Sequence, residues 1–165
     1  MLQILHLAKR ADNAIVELVG RAFLPKGLVM IISTKGRYAL RVMVDLAQHY
    51  DQGYVPLREV AERQGISPKY LEAIVSILHK EGLVKGLRGK GGGYRLSCDI
   101  ATCTVGDVLK LTEGSLAPVA CLDCGQAGCE RADTCPTLPM WEKLDKMVED
   151  YFNGITIADL VENKG

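Results

Sequence analysis

The run from Ile66 to Leu96, ISPKYLEAIVSILHKEGLVKGLRGKGGGYRL, leaves this chain few folds to choose from. Ser67 followed by Pro68 supplies a helix cap and a residue suited to the first turn. Leu71, Ile74, Val75 and Leu78 then recur at 3-1-3 steps, which lines one buried helical face. Lys69, Tyr70, Glu72, Ala73 and Ser76 fall on the opposite face. Gly82 ends the helix, and Leu83-Val84 and Tyr94-Arg95-Leu96 read as two short strands around a glycine-rich, basic tip from Gly86 to Gly93. A helix with an exposed polar face followed by a basic hairpin predicts a winged helix-turn-helix. The helix suits a major groove, and the hairpin tip suits the backbone or minor groove beside it.

The residues before this run complete the motif. Thr34 is positioned to cap a helix carrying Ala39, Val42, Met43, Leu46, Ala47 and Tyr50, which Asp51-Gln52-Gly53 breaks. Pro56 to Gln64 reads as a short helix stopped by Gly65. Only Gly65-Ile66-Ser67 then separates it from the reading helix, the tight glycine-containing turn of a helix-turn-helix. Tyr38 and Tyr54 read as packing residues near this pair.

Charge is partitioned. Net charge is zero for the whole chain, yet residues 30–97 carry 11 Lys/Arg against 6 Asp/Glu, while residues 98–165 carry 5 against 12. The basic excess coincides with the predicted reader, as a phosphate-binding surface requires. Arg88 and Lys90 sit in the wing tip, where glycines let the backbone approach a polyanion closely; the alternative is a solvated hairpin tip. GLRGKGGGY is not a nucleotide loop, because no Ser or Thr follows Lys90 and no helix begins there.

Beyond the wing, Thr104 caps a predicted helix through Val105, Val108, Leu109 and Leu111, closed by Gly114. A final helix of about four turns carries Leu138, Trp141, Leu144, Val148, Tyr151 and Phe152 and ends at Asn153-Gly154. Its apolar content exceeds what a small winged domain covers, so a dimer seam competes with packing on its own domain, and a two-fold dimer matches a pseudo-palindromic operator. The expected organisation is mainly α with a small β-wing. It comprises an extension (1–29), a winged helix-turn-helix (30–97), a connecting helix (98–117), a cysteine loop (118–136), and a long dimerisation helix with its tail (137–165). The extension is either an amphipathic helix or upstream sequence ahead of a start at Met30.

The loop carries four of the six cysteines, Cys121, Cys124, Cys129 and Cys135, spaced C-x2-C-x4-C-x5-C. Four thiolates this close converge readily on one soft centre, an iron–sulfur cluster or zinc. A metal-free thiol switch is the third reading. Cys98 and Cys103 stand apart and read as small core residues. The N-terminus lacks a basic start and its apolar run is interrupted, so the expected location is the cytoplasm, where clustered thiols bind metal more often than they bridge. No apolar run is long enough for a bilayer. His6, His49 and His79 are scattered, without a neighbouring nucleophile or carboxylate pair, so no enzyme is expected. A protein-interaction module is the rival from another class.

Together these segments resemble the family of winged-helix regulators that includes IscR, NsrR, RirA and CymR. The resemblance runs through STKGRYAL (33–40), VPLREVAERQGISPKYLE (55–72), LRGKGGGYRL (87–96), CERADTCPTLPMWEKL (129–144) and GITIADLV (154–161), so all but residues 1–29 fall within its span. It implies a homodimeric transcription regulator whose iron–sulfur cluster alters its DNA affinity or sequence choice, with a 2Fe–2S cluster favoured over 4Fe–4S and zinc the alternative. By position it assigns Ser67, Lys69, Tyr70 and Glu72 to base or phosphate contact and Arg88 to the minor groove. Thr34, Lys35 and Lys90 complete the expected DNA-binding set. Cys129 and Cys135 match the second and third cluster cysteines, and either Cys121 or Cys124 the first. IscR-like members place a histidine three residues after the third cysteine; here that position is Leu138, and the spare thiol of the Cys121/Cys124 pair is the substitute.

Overall fold

The first described helix, α1 (Thr34–Gln48), begins where Ser33 accepts the Gly36 amide on its hydroxyl at 3.2 Å. The computed structural model describes residues 32–123 and 129–163, so the extension and Cys124 lie outside the described residues. The cap is Ser33 rather than the expected Thr34, because Glu113 holds Ser33 in place. Its carboxylate accepts from the Ser33 hydroxyl at 2.7 Å and the Ser33 amide at 3.3 Å. Ala39, Val42, Met43 and Leu46 are buried as expected, whereas Tyr50 is 61% exposed, lying beyond the helix in a 3-10 turn (Tyr50–Gln52).

Helix α2 (Leu57–Gln64) ends at Gly65 in the left-handed conformation (φ 63°), with the Ile66 amide returning to the Ala61 carbonyl at 3.1 Å. Glycine adopts this conformation without steric cost, which makes the turn three residues long. Helix α3 (Pro68–Lys80) starts with Ser67 accepting the Tyr70 amide and buries Leu71, Ile74, Val75 and Leu78 completely. It ends in the same way, at Gly82 (φ 76°), as the Leu83 and Gly82 amides bond back to Leu78 and His79. Strands β1 (Val84–Leu87) and β2 (Gly93–Leu96) pair antiparallel in the register Val84↔Leu96, Lys85↔Arg95, Gly86↔Tyr94 and Leu87↔Gly93. The wing is thus longer on its first strand than the expected Leu83-Val84. Val55 extends the hairpin as a third edge, exchanging amide–carbonyl bonds with Tyr94 at 2.9 and 2.8 Å. A side chain at Gly93 would collide with the Val55 carbonyl, so this closeness demands glycine.

Helix α4 (Val105–Glu113) opens with a capping box in which Thr104 and Asp107 satisfy each other's amides. Helix α5 (Leu138–Asn153) follows the cysteine loop, and α6 (Ile157–Val161) opens with a second capping box, Thr156 with Asp159. The two boxes lie side by side. The Val105 amide donates to the Ile155 carbonyl at 2.8 Å, and the Ile157 amide to the Cys103 carbonyl at 2.9 Å. This pairing plants Ile157, fully buried, among Ala39, Leu71 and Val84, so residues expected as a tail help form the core of the winged domain. A smaller cluster of Val105, Leu109 and Leu116 receives Val148 and Phe152 from α5.

One ion pair fixes the angle between α1 and α2. Asp45 is only 2% exposed, and Arg63 donates to both of its oxygens at 3.0 and 2.7 Å while the Gln64 amide donates at 2.8 Å. Burial pushes the Asp45 carboxyl upward, but the bonds from Arg63 and Gln64 and the charges of Arg63 and His49 outweigh it and hold it below the usual range. The stabilisation is therefore present above the ordinary carboxylate value and is lost as pH falls through the lowered native one. Arg63→Met strands a buried carboxylate and is expected to cost about 3 kcal/mol at neutral pH. Urea unfolding of the two proteins across the acidic range checks this; their stabilities converge once Asp45 is protonated.

Candidate nucleic-acid interface and cysteine loop

The burial of Leu71, Ile74, Val75 and Leu78 turns the other face of α3 outward. Ser67, Lys69, Tyr70, Glu72, Ala73 and Ser76 are all exposed. Tyr70 is the least free of these. Its ring meets Tyr38 edge to face at 6.0 Å between centroids, and the Arg41 guanidinium covers the other ring at 5.1 Å. Arg41 is itself bonded to the Gln64 side chain and carbonyl. The reading helix is thereby braced against α1 and the α2 terminus, which leaves the Tyr70 hydroxyl as the part available to a ligand.

Thr34 and Lys35 lie at the N-terminus of α1, Thr34 exposed and accepting from Arg37 at 3.3 Å, Lys35 half-buried. Arg88 and Lys90 are exposed at the wing tip beside Leu87, a large apolar side chain left 49% exposed. Gly89 and Gly91 turn the tip with φ 96° and 74°.

The wing holds a further cationic pair that sequence reading missed. Val84 and Leu96 face the core, so strand alternation turns their neighbours Lys85 and Arg95 to the opposite face, directly across from one another. Arg95 stacks on Tyr54 at 4.9 Å, and its buried Nε has no hydrogen-bond partner among the described residues. Like charges in register repel, and neither side chain has a carboxylate within ion-pair distance among the described residues. The hydrophobic alternation of β1 and β2 was the signal, once the register was known.

In the cysteine loop, Cys121 is exposed in a 3-10 turn (Ala120–Leu122), Cys129 is exposed, and Cys135 lies three residues before α5. All three are free thiols. The Cys135 sulfur is 3.4 Å from the Thr137 hydroxyl. That bond, aided by the Thr137 and Leu138 amides at the helix start, makes this thiol more acidic than usual. Among the described residues no three His, Cys, Asp or Glu side chains converge as a metal-binding group; Cys124 falls outside them. The donor chemistry nevertheless fits a soft metal centre: accessible thiols, one of them biased toward the thiolate a metal requires.

Comparison with known proteins decides the class. Residues 32–163 match the model of the Rrf2 family, described as an iron-dependent transcriptional regulator. The chain belongs to the Rrf2 family. It is 42% identical over 135 residues to the HTH-type transcriptional regulator IscR of Yersinia enterocolitica, covering 82% of this chain and 81% of that one. IscR of Serratia proteamaculans is equally similar. Among solved structures, T. potens IscR superposes with a TM-score of 0.64 at 36% identity, over 82% of this chain and 88% of the other. CymR, the global cysteine regulator of B. subtilis, gives 0.67 at 34%, over 82% and 98%. This Rrf2 chain is a DNA-binding transcriptional regulator with a winged helix-turn-helix, not an enzyme, as its named relatives are. No described helix is long and apolar enough to cross a membrane.

Proposed function

We propose that this Rrf2 regulator acts in the cytoplasm as a homodimer on a pseudo-palindromic operator, under the control of an iron–sulfur cluster held by the Cys121–Cys135 loop. The observation that carries this reading is the position of Cys135: an acidified thiol at the start of α5, whose outward face is apolar. A change in ligation at this point bears directly on the helix proposed to join the two subunits, and through it on the spacing of the two reading helices.

The roles divide by chemistry. Ser67, Lys69 and the Tyr70 hydroxyl suit phosphates or base edges at the start of α3, and Glu72 suits the amino donor of a cytosine. Arg88 and Lys90 suit a narrow minor groove, while Thr34, Lys35, Lys85 and Arg95 suit the flanking backbone. Cys129, Cys135 and the Cys121/Cys124 pair would hold the cluster, 2Fe–2S being favoured. When bound, it supplies a centre that responds to iron supply, redox state or nitric oxide. The chain's part is to present thiolates and to couple the loop to α5.

Absorption spectra of anaerobically purified protein, with iron, sulfide and zinc analysis, test the reading. Visible bands with matching iron and sulfide support it; stoichiometric zinc, or thiols without metal, replaces it with a zinc-stabilised or thiol-switch regulator of the same fold. Cys129→Ser and Cys135→Ser leave at most three loop thiols, so each is expected to remove the visible bands or make them decay within a desalting step. Circular dichroism should stay unchanged, because both residues lie outside the core.

A further inference from the structure

The outer face of the wing carries a row of three side chains set by strand register. Val55 pairs with Tyr94, and Lys85 with Arg95, so Tyr54, Arg95 and Lys85 stand side by side across the three strands. Val55, Val84 and Leu96 are buried against the core, and strand alternation turns the residues of this row to the opposite side. The Val55–Tyr94 exchange, at 2.9 and 2.8 Å, fixes Tyr54 beside Arg95, and the Arg95 guanidinium lies over its ring at 4.9 Å from the centroid. The buried Nε of Arg95 has no hydrogen-bond partner, and no carboxylate lies within ion-pair distance of either cation, among the described residues. Two like charges in register repel each other. An anion placed between them offsets that repulsion.

We propose that Tyr54, Arg95 and Lys85 form a preset clip for one DNA phosphate, in which the two cations make the contact and Tyr54 is a positioning residue. The clip deepens the DNA-binding reading and rests on the proposed placement of Arg88 in a minor groove. Arg88 follows Lys85 by three residues, which puts it about 10 Å further along the hairpin. A minor groove is about 7.5 Å deep. With Arg88 at its floor, the Lys85–Arg95 pair therefore stands level with the phosphate ridge that borders the groove. A guanidinium presents its amines as a fixed fork that matches a phosphate, and an ammonium beside it adds a point charge. The Tyr54 ring braces that fork, so Arg95 loses less side-chain freedom on binding than an unsupported arginine. A phosphate contact carries no base identity, so the clip sets affinity and register rather than sequence choice. An acidic protein segment would meet the same charges, but continuity with Arg88 and Lys90 at the wing tip favours the duplex.

Duplexes selected from a randomised pool by the unsubstituted full-length protein serve as probes, with single methylphosphonates neutralising their phosphates one at a time. One flanking phosphate in each half-site should be found whose neutralisation weakens the unsubstituted protein yet leaves Arg95→Gln unaffected. Arg95→Gln itself should weaken binding uniformly across the selected sequences and make the salt slope shallower by about one per bound subunit. Its fold should hold, since the Arg95 side chain makes no hydrogen bond among the described residues. Tyr54→Leu should reproduce the loss at that same phosphate and add nothing to Arg95→Gln. Tyr54→Phe, which keeps the ring, should bind as the unsubstituted protein does. A Tyr54→Leu protein weakened equally at every phosphate contact overturns the positioning role. Arg95→Gln with an unchanged slope and methylphosphonate profile overturns the clip, leaves the reading surface intact and assigns the row to an acidic protein partner. An unsubstituted protein that selects no duplex overturns the DNA reading and the clip together. The Arg95→Gln profile decides the matter even if Tyr54→Leu folds poorly.

Discussion

Raising salt from about 50 to about 200 mM is expected to weaken operator binding by roughly 10³–10⁵-fold. The argument rests on which cations the fold leaves free. Arg63 is committed to Asp45, and Arg58 pairs with Glu62 at 2.9 Å. Lys69 on α3, Lys85 and Arg95 across the wing, and Arg88 and Lys90 at its tip have no carboxylate within ion-pair distance among the described residues. A dimer doubles this set, so about 6–10 phosphates neutralised is a reasonable span, each releasing a counterion to dilute solution. The acidic half of the chain lies beyond the wing and adds none. Binding isotherms across the salt range measure the slope directly. Arg88→Ala should make it shallower and weaken binding most on operators with A/T-rich flanks. A flat response on a palindromic target would remove the proposed reading surface.

The elements that read most clearly from sequence are those whose structure is locally determined. Ser67-Pro68, Gly65 and Gly82 each satisfy a helix end from within one turn, and the buried stripe of α3 matches its periodicity residue for residue. What escaped depends on distant partners. Ser33 and Thr34 are equally suited to cap α1, and only Glu113, 80 residues on, selects Ser33. The burial of Ile157 had a readable clue, since Thr156 and Asp159 repeat the Thr104/Asp107 spacing, but no local rule says that the two capped turns pair. The Lys85–Arg95 strip required the hairpin register. For the cysteines, spacing marks a ligand set, while the acidity of Cys135 comes from Thr137 and the helix start, features visible only once α5 is placed.

The stripe expected on α5 divides into two. Of the apolar residues that suggest a dimer seam from sequence, Val148 and Phe152 turn inward against Val105, Leu109 and Leu116. Lys110 of α4 bonds Glu149 at 2.9 Å on the same side. The outward face carries Met140, Met147 and Tyr151, which are 55%, 59% and 63% exposed, and Leu144 lies between them. Spacings of 4, 3 and 4 residues from Met140 to Tyr151 make this a continuous seam. With Ile32, Leu144, Val148 and Phe152, it opens an apolar groove at the Met147–Tyr151 end. The flexible side chains of Met140 and Met147 suit such a surface.

Met147→Asp is therefore the substitution expected to separate the proposed dimer while sparing the subunit. Met147 faces solvent in the single chain, so an aspartate there disturbs no intrachain core contact. Across a two-fold seam, two carboxylates would be desolvated together at about 2 kcal/mol each. The combined cost of about 4 kcal/mol raises the dissociation constant about 10³-fold. Sedimentation of the variant should give a monomer at low micromolar concentration, with helix content and urea midpoint at the level of the unsubstituted chain. Operator affinity should fall with it, since each half-site would then be bound separately. Val148→Asp should behave differently, losing stability in the monomer as well, because that side chain packs on α4. A Met147→Asp protein still dimeric at low micromolar concentration would place the subunit contact elsewhere and detach the Cys135–α5 connection from control of half-site spacing.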